Sequence, residues 1–322
     1  MKFNKFVTSL LVASALVAGA AFAEDGNSLH FSISADAAWY PSVARNQNVS
    51  SGFAGINGPF GGAEGRVTGA ANYTIPTPLG ENWLVSSANV NLKGSFELTP
   101  VSIKPGFEVS FTPLPFLVFA TGVETGTGWS MLGFKGMGSY NASTGSYDNF
   151  TPFTHWYYNF YAQGTFQFDT GALIPGDWTH VVMMATYQLN YKGMSGMDAG
   201  QVWLWQNSGN KVNGLGYYAS IILAYQMPLP LYRVGVWAEF EGHYSDDYAA
   251  SYKDYDGKFM DISISPLLQF QFTPNDTLAT VFGFSSRRIY ESYDSSVSEC
   301  SLKTVGREWY FKRIALSYSH SF

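Results

Sequence analysis

Few residues in this 322-residue sequence have the types and spacing that could support catalysis. In His30-Phe-Ser32 a histidine stands two residues from a hydroxyl group, and nucleophilic hydrolysis uses such a base and nucleophile. Farther along, His243 is followed by Asp246 and Asp247, which are side chains that can exchange protons. Neither group belongs to a longer catalytic motif. The sequence therefore predicts a solvated polar rim around the second group and predicts no enzyme.

Metal ligands and cofactor motifs are also sparse. Asp254-Tyr-Asp256-Gly257 matches part of a calcium loop, but the third acidic ligand and the bidentate glutamate are absent. Cys300 is the single cysteine, which excludes a disulfide framework and a cysteine-based metal site. The formal net charge of −6 argues against nucleic acid, because proteins that bind it are usually basic. We therefore expect no metal, no cofactor and no nucleic-acid partner.

The end of the chain shows what kind of element must position these residues. Large apolar or aromatic side chains stand at alternate positions, namely Tyr310, Ile314, Leu316, Tyr318 and Phe322. Small or polar residues stand between them, namely Arg313, Ala315, Ser317, Ser319 and Ser321. A period of two is typical of a β-strand with two unlike faces.

Eleven earlier segments show the same alternation. The predicted strands cover 28–40, 64–75, 83–98, 103–112, 116–125, 153–168, 178–192, 215–227, 231–243, 258–272, 277–290 and 309–322. The fourth and fifth strands are short, and Pro266 interrupts the tenth, where a missing N–H is awkward in a sheet. The sequence therefore predicts about twelve strands, with ten or fourteen as alternatives.

The connections alternate between tight turns and long polar loops. Every predicted turn contains proline, and these turns cover 76–82, 113–115, 169–177, 228–230 and 273–276. Charged residues make up only 13% of the chain and aromatic residues 17%. After the first 23 residues, no apolar run is long enough for a transmembrane helix. This composition suits strands that meet lipid with every second residue.

The first 23 residues have the organisation of a secretory signal peptide. Lys2 and Lys5 come first, an apolar run follows from Phe6 to Val17, and small residues lead to a cleavage site at Ala23. The sequence predicts that residues 1–23 are removed and that 24–322 form one domain.

Together these features resemble bacterial outer-membrane β-barrel proteins, which have short periplasmic turns, long outer loops and a terminal aromatic residue. The resemblance implies an all-β, transmembrane, antiparallel up-and-down barrel in the bacterial outer membrane. It also implies outer-membrane lipid and the barrel-assembly machinery as partners, with Tyr318 and Phe322 as the assembly signal. A soluble β-sandwich is the alternative, but it leaves the signal peptide and Phe322 unexplained.

Two enzyme families are built on such barrels, and the sequence departs from both. Outer-membrane phospholipases carry a His-x-Ser-Asn-Gly run, whereas Ile33 and Ser34 follow the His30 and Ser32 pair here. Omptin-type proteases carry Asp-Asp and Asp-His pairs at the outer rim. The group that begins at His243 matches this position but not the motif.

By strand alternation, ten charged residues are the main candidates to face the lumen: Arg66, Lys93, Glu97, Glu108, Arg233, Glu239, Glu241, Asp261, Arg287 and Arg313. Both signs occur, so no single ion type is selected. Twelve strands lie between filled eight-stranded barrels and open sixteen-stranded ones. We therefore predict a narrow porin-like channel for passive passage of small polar solutes, in which Arg233 or Glu239 affects conductance. A structural or surface-interaction barrel without transport and, least favoured, a barrel hydrolase are the alternatives.

Two loops and one strand end carry further expectations. The segment Val202-Trp-Leu-Trp205 would contact lipid or an apolar ligand, fold into the mouth as a plug, or extend the flanking strands as a hairpin. The acidic and serine-rich segment 291–303 predicts that water reaches Cys300. Tyr310 is expected to face outward in an aromatic girdle at the membrane interface.

Overall fold

Twelve long strands pair in chain order in the computed structural model, which describes residues 27–322. The strands are β1 Ser28–Val43, β2 Ile56–Pro76, β3 Asn89–Thr99, β4 Ser102–Leu114, β5 Leu117–Gly128, β6 Tyr157–Asp169, β7 His180–Met194, β8 Gly214–Gln226, β9 Leu231–His243, β10 Asp261–Thr273, β11 Asp276–Tyr290 and β12 Thr304–Ser321. The predicted signal peptide, residues 1–23, lies outside the described residues.

The sheet closes into a barrel because β12 pairs antiparallel with β1. Eight residue pairs join these strands, from Ser32 opposite Ser321 to Trp39 opposite Ile314. Closure leaves no long strand with an unpaired edge, which is the condition for backbone in hydrocarbon. The predicted antiparallel up-and-down barrel of twelve strands is therefore confirmed. Connections after even-numbered strands lie at one end, which we call the turn end, and those after odd-numbered strands lie at the loop end.

Strand alternation gives the barrel an apolar outer face. On β1, Phe31 is 51% exposed, whereas Ala38 on the inner face is 7% exposed. Large exposed apolar side chains occur on all twelve strands, and we call them the outer belt: Phe31, Val67, Phe96, Phe107, Phe119, Phe160, Leu189, Ile221, Val236, Ile264, Phe284 and Leu316.

Pro266 does not interrupt the barrel, because β10 keeps its regular pairing with β9 at this position. It stands opposite Val236 of β9. Toward β11, the pairs Ile264–Phe284 and Leu267–Val281 on either side of the proline keep the same register. The tenth strand is thus continuous, and the alternative count of ten strands is not needed.

Several strand boundaries differ from the prediction: β2 begins at Ile56 instead of 64, β12 begins at Thr304 instead of 309, and the start of the third strand also differs. The segment that starts at Trp83 was expected to begin the third strand, but it belongs to a turn. Within this turn Val85 N donates to Asn82 O at 2.9 Å, and Thr77 N donates to Ala88 O at 2.8 Å. These local bonds occupy the backbone groups, so β3 begins at Asn89.

A β-bulge at Lys312 corrects the predicted orientation of Tyr310. Gly283 of β11 pairs with Arg313, but the next residue, Phe284, pairs with Phe311 and leaves Lys312 as the extra residue. A bulge shifts the alternation by one position. Tyr310 therefore faces inward with 7% of its surface exposed, and the prediction that it faces lipid was wrong.

The loop end carries further short elements. Four strands pair in the order Ser146–Asn149, Met137–Asn141, Trp203–Trp205 and Ser208–Lys211, and we call them the cap sheet. Ser51–Ala54 pairs in parallel with β12, and Ser130–Met131 pairs with Phe134–Lys135. The 3₁₀ helices are Thr170–Ala172, Ala250–Tyr255 and Glu299–Ser301. Within residues 27–322, no helix is long and apolar enough to cross a membrane.

Candidate functional site

The inner wall of the barrel has a densely packed half, formed by the inner faces of β8–β12 with neighbours from β1 and β7. Its apolar members form one buried cluster: Ala38, Tyr40, Met184, Ile222, Ala224, Trp237, Leu267, Val281 and Ala315. Trp237 is 2% exposed and Ile222 is fully buried. This half is filled by side chains in the way a protein core is filled.

Several polar residues of the packed half are buried with hydrogen-bond partners. Arg233 Nε donates to Gln226 Oε1 at 2.9 Å, and its Nη1 donates to Gln269 Oε1 at 3.4 Å. The carboxylate of Glu239 accepts a bond from Tyr218 Oη at 2.9 Å. Buried polar groups that are paired contribute to rigidity, whereas an unpaired one would cost free energy.

The opposite half of the inner wall, formed by β2–β6, is less covered. We call it the open half. Most of its inward residues are only half-buried, including Arg66, Asn72, Asn91, Lys93, Lys104, Glu108, Ser110, Thr112, Tyr161, Gln163 and Gln167. Most of them carry amides, hydroxyls or charges. The accessible part of the lumen therefore runs along a polar wall on one side of the barrel.

An ion-pair chain crosses the open half from β1 to β5. Asp36 accepts a bond from Arg66 Nε at 2.6 Å, and Arg66 Nη1 lies 3.5 Å from Glu97. Lys104 Nζ then bridges Glu97 at 3.5 Å and Glu124 at 3.2 Å. Each carboxylate of the chain thus has a cation beside it, which offsets the cost of removing the charges from water.

A second charged region lies in the packed half, near the loop end. Arg287 Nε donates to Glu308 at 2.6 Å, and Lys192 Nζ donates to Glu241 at 2.6 Å. A cavity of about 30 Å³ lies here, with lining residues that include Tyr218, Glu239, Glu241, Asp261, Arg287, Tyr310 and Lys312. This volume holds roughly two water molecules.

The tryptophans of the loop Val202–Trp205 fold into the mouth of the barrel. Trp203 is fully buried, and Trp205 stacks on Tyr157 of β6 with 4.8 Å between ring centroids. Trp203 Nε1 donates to Asn213 Oδ1 at 2.9 Å. Of the three arrangements considered for this loop, the structure shows the one that closes the mouth.

Gln206, the residue after the tryptophans, ties the cap sheet to the open half. Its Nε2 donates to Glu97 Oε1 at 3.0 Å and to Ser102 Oγ at 2.9 Å. Glu97 therefore pairs with cations of the wall and also holds the cap. The loop end of the open half is covered at this contact.

Asn210 ties the other side of the cap to two more loops and to Tyr147, in another strand of the cap sheet. Its Oδ1 accepts from Ser298 Oγ at 2.5 Å and from Cys300 N at 3.2 Å, and its carbonyl accepts from Tyr248 Oη at 2.6 Å. Its backbone N donates to Tyr147 Oη at 2.6 Å. Burial raises the pKa values of Tyr147 and Tyr248 above their ordinary range. The cap thus spans the mouth from β3 to the β11–β12 loop.

The expectation that water reaches Cys300 was wrong. Cys300 is 1% exposed and packs in a cluster with Tyr140, Val202, Val212 and Tyr290. Burial raises the pKa of the Cys300 thiol to about 11. The polar composition of the segment 291–303 misled the prediction, because several of its side chains face the cap.

Neither sequence group with catalytic potential forms a close pair of base and nucleophile. His30 is exposed at the turn end of β1, and Ser32 lies half-buried two residues farther along. His243 Nδ1 lies 3.7 Å from Asp247 Oδ2, which is beyond hydrogen-bond distance. In the described part of the chain, no cluster of three or more His, Cys, Asp or Glu residues could hold a metal ion.

The ten candidate lumen residues divide between the two halves. Lys93, Glu97 and Glu108 lie in the open half with Arg66, and Tyr161 Oη donates to Glu108 at 2.7 Å. The other six belong to the packed half: Arg233, Glu239, Glu241, Asp261, Arg287 and Arg313.

The sequence reasoning missed several residues of this region. Lys104 and Trp237 were not among the ten candidates, although strand alternation was sufficient to predict that they face inward. Nothing in the sequence pattern identifies Gln206, in the turn between two cap strands, or Asn210, in the strand Ser208–Lys211; both have positive φ, of 48° and 58°.

Comparisons with known proteins give similar solved structures only. No family model matches the chain, and no curated protein matches it in sequence. The COG4313 outer membrane channel from Pseudomonas putida F1 matches with a TM-score of 0.48 and 8% identity, over 94% of this chain and 99% of that one. The KdgM porin matches with a TM-score of 0.35 and 10% identity, over 90% and 99%. The outer membrane channel DcaP of Acinetobacter baumannii matches with a TM-score of 0.36 and 9% identity, over 93% and 99%. Identities this low transfer no ligand and no residue role to this chain.

Proposed function

We propose that the chain is an outer-membrane channel that passes small polar solutes along the open half of its inner wall. The observation that supports this proposal is the difference in burial between the two halves. Residues such as Asn91 and Ser110 keep access to the lumen, whereas Ser220 and Ser265 on the opposite wall are 3% exposed. A purely structural barrel has no need for a polar wall that is left partly uncovered.

The packed half keeps this path narrow. Trp237 and its apolar neighbours fill much of a lumen that only twelve strands enclose. Amides and hydroxyls along the open half replace part of the hydration of a polar solute. Passage of small solutes, and exclusion of large ones, follows from this arrangement.

Placement in the outer membrane is supported by the outer belt and by the predicted signal peptide. Strands of eleven to sixteen residues, such as β3 and β1, are long enough to cross the hydrocarbon layer when tilted. The belt presents aromatic and aliphatic side chains to lipid on every strand.

A structural or surface-interaction barrel is the second candidate, and the cap favours it. Gln206 and Asn210 hold the cap closed through bonds to the wall and to other loops. In the channel proposal the cap must open, at least in part, during transport. In the second candidate it stays closed and presents its outer surface.

The test is a blocking experiment in planar lipid bilayers. A cysteine in place of Ser110, in a Cys300→Ser background, should react with a small charged methanethiosulfonate reagent and lower the single-channel conductance. The matched control is Ser220→Cys, which is buried in the packed half and should leave conductance unchanged. Folded, inserted protein that never conducts, or equal block at both positions, would contradict the proposed path.

A further inference from the structure

The β3–β4 turn is the shortest connection at the loop end, and we call this side of the barrel the low rim; a short apolar hairpin begins there. Only Pro100 and Val101 connect β3 to β4. Trp129, the residue after β5, anchors the hairpin to this turn, because its N donates to Val101 O at 2.8 Å and its Nε1 donates to Pro100 O at 2.9 Å. The hairpin, Ser130–Lys135, therefore starts at the turn that follows Leu98, an exposed apolar residue near the loop end of β3.

The hairpin exposes large apolar side chains. Leu132 is 87% exposed, and Met131 and Phe134 on either side of the turn are also exposed. Phe153, which lies close to the start of β6, is 59% exposed, and its ring centroid lies 6.4 Å from that of Trp129. Contiguous exposed apolar surface of this kind marks contact with a partner or a membrane.

Two of these residues have strained backbone. Leu132 has φ of 51° and Phe153 has φ of 64°, in the left-handed region that bulky L-residues seldom adopt. Such conformations persist where the surrounding structure enforces them, and they cluster at functional positions. Here the bond from Gly136 N to Trp129 O at 2.9 Å closes the hairpin and holds Leu132 at its tip.

The charge of this segment matches lipid better than a polar partner. Between 126 and 147, Lys135 is the one charged residue in the sequence, and no acidic residue occurs. The loop 291–303, in contrast, contains Glu291, Asp294 and Glu299. A tryptophan at the base of the hairpin also fits the headgroup level of a membrane, where indole rings are favoured.

We infer that the hairpin Ser130–Lys135, with Phe153, lies in the headgroup and upper acyl region of the outer leaflet beside the low rim. Leu98, two residues before Pro100 on β3, is exposed like the outer belt, so the lipid that meets β3 is expected to reach the turn where the hairpin begins. The hairpin adds an interfacial anchor to the barrel, independent of whether the lumen conducts.

The experiment uses the full barrel at one copy per phosphatidylcholine nanodisc, in a Cys300→Ser background. An environment-sensitive fluorophore is attached to Leu132→Cys or, as a second site, to Met131→Cys. Ser143→Cys, in an exposed turn of the same connection, is the matched control. The quenchers are iodide in the water and a phosphatidylcholine that carries a nitroxide near its headgroup.

The labels at the hairpin should shift their emission to the blue, lose most of their fluorescence to the nitroxide lipid and resist iodide. The label at Ser143 should show the opposite pattern. Quenching of the hairpin labels by iodide to the same extent as the control would overturn the inference. Protection from both quenchers would also overturn it, because the hairpin would then be covered by protein instead of lipid.

Discussion

The side-chain amide of Gln206, in the cap, donates a 3.0 Å hydrogen bond to the carboxylate of Glu97, on the barrel wall 109 residues earlier in the chain. The same carboxylate lies 3.5 Å from both Arg66 and Lys104. Glu97 remains paired with these cations if the amide is removed. The contact can therefore be broken without leaving an unpaired buried charge, which makes it suitable as a releasable latch.

Replacing Gln206 with alanine should loosen the cap over the open half. We expect a larger open probability, or a larger conductance, in bilayer recordings, because the bonds to Glu97 and Ser102 are both lost. Gln201→Ala is the matched control, since Gln201 lies in the same loop and bonds only locally to Asp198. Identical recordings from both variants would show that this contact does not limit passage.

Cys300 offers a chemical measure of cap opening. Because the thiol is buried and its pKa is raised to about 11, a water-soluble thiol reagent should label the folded protein far more slowly than the unfolded protein. Asn210→Ala should speed labelling, since it removes the side-chain bonds to Ser298 and to the backbone of Cys300. Asn141→Ala serves as the control, because Asn141 is a half-buried residue of the cap sheet whose side chain bonds to the nearby Asp148 and Ser143.

The raised pKa of Cys300 also determines how the stability of the folded protein changes with pH. The ordinary pKa of the thiol is 9.0 and its pKa in the folded protein is about 11, so the folded state binds the proton more tightly. The thiol's contribution to stability is complete below pH 9.0 and is lost as the pH rises through 11. Thermal unfolding over this range should become easier, and Cys300→Ser should reduce the dependence. The dependence that remains belongs to other groups, including Tyr147 and Tyr248, whose pKa values are also raised.

Strand alternation was enough to predict the barrel, because lipid outside and polar groups inside impose a period of two on every strand. It separated Val236, which is 45% exposed, from Glu239, which is 5% exposed. It failed at Tyr310, because one inserted residue, Lys312, shifts the alternation and leaves no trace in composition. It also could not predict the cap, since Gln206 and Asn210 gain their roles from partners that are distant in sequence. The burial of side chains in the packed half depends on contacts among the inward faces of several strands, and the sequence of one strand does not predict those contacts.

Trp237 should be the most sensitive apolar residue of the packed half. Its replacement by alanine removes a buried ring that Ile222 and Leu267 surround, and such changes cost about 3–5 kcal/mol in protein cores. Phe160→Ala, on the outer belt, is the control because its side chain is half exposed. The temperature at which the fast-migrating folded band on a gel converts to the unfolded band should fall much more for Trp237→Ala.

Phe322 is expected to act during assembly more than in the finished barrel. Its side chain is 72% exposed, and its backbone N donates to Phe31 O at 2.9 Å, a bond that alanine would keep. Phe322→Ala should therefore reduce the amount of folded, heat-modifiable protein in the outer membrane without lowering secretion. Phe272→Ala, an exposed phenylalanine at the turn end of β10, should have little effect. Equal amounts of folded barrel in both variants would contradict a role for the terminal residue.

Ion preference should depend on Lys93 and Glu108, which stand opposite each other on β3 and β4 in the open half. Lys93→Gln removes a positive charge from the accessible wall and should shift the reversal potential toward cation preference. Glu108→Gln should shift it toward anions, and glutamine can still accept the 2.7 Å bond from Tyr161. Arg233→Gln is the contrasting variant, because Arg233 is buried in the packed half at 8% exposure, although its charge made it a candidate in the sequence. Opposite shifts at Lys93 and Glu108 with none at Arg233 would locate the path. A shift at Arg233 alone would move the path to the other wall, and the division between the two halves would then have no bearing on transport.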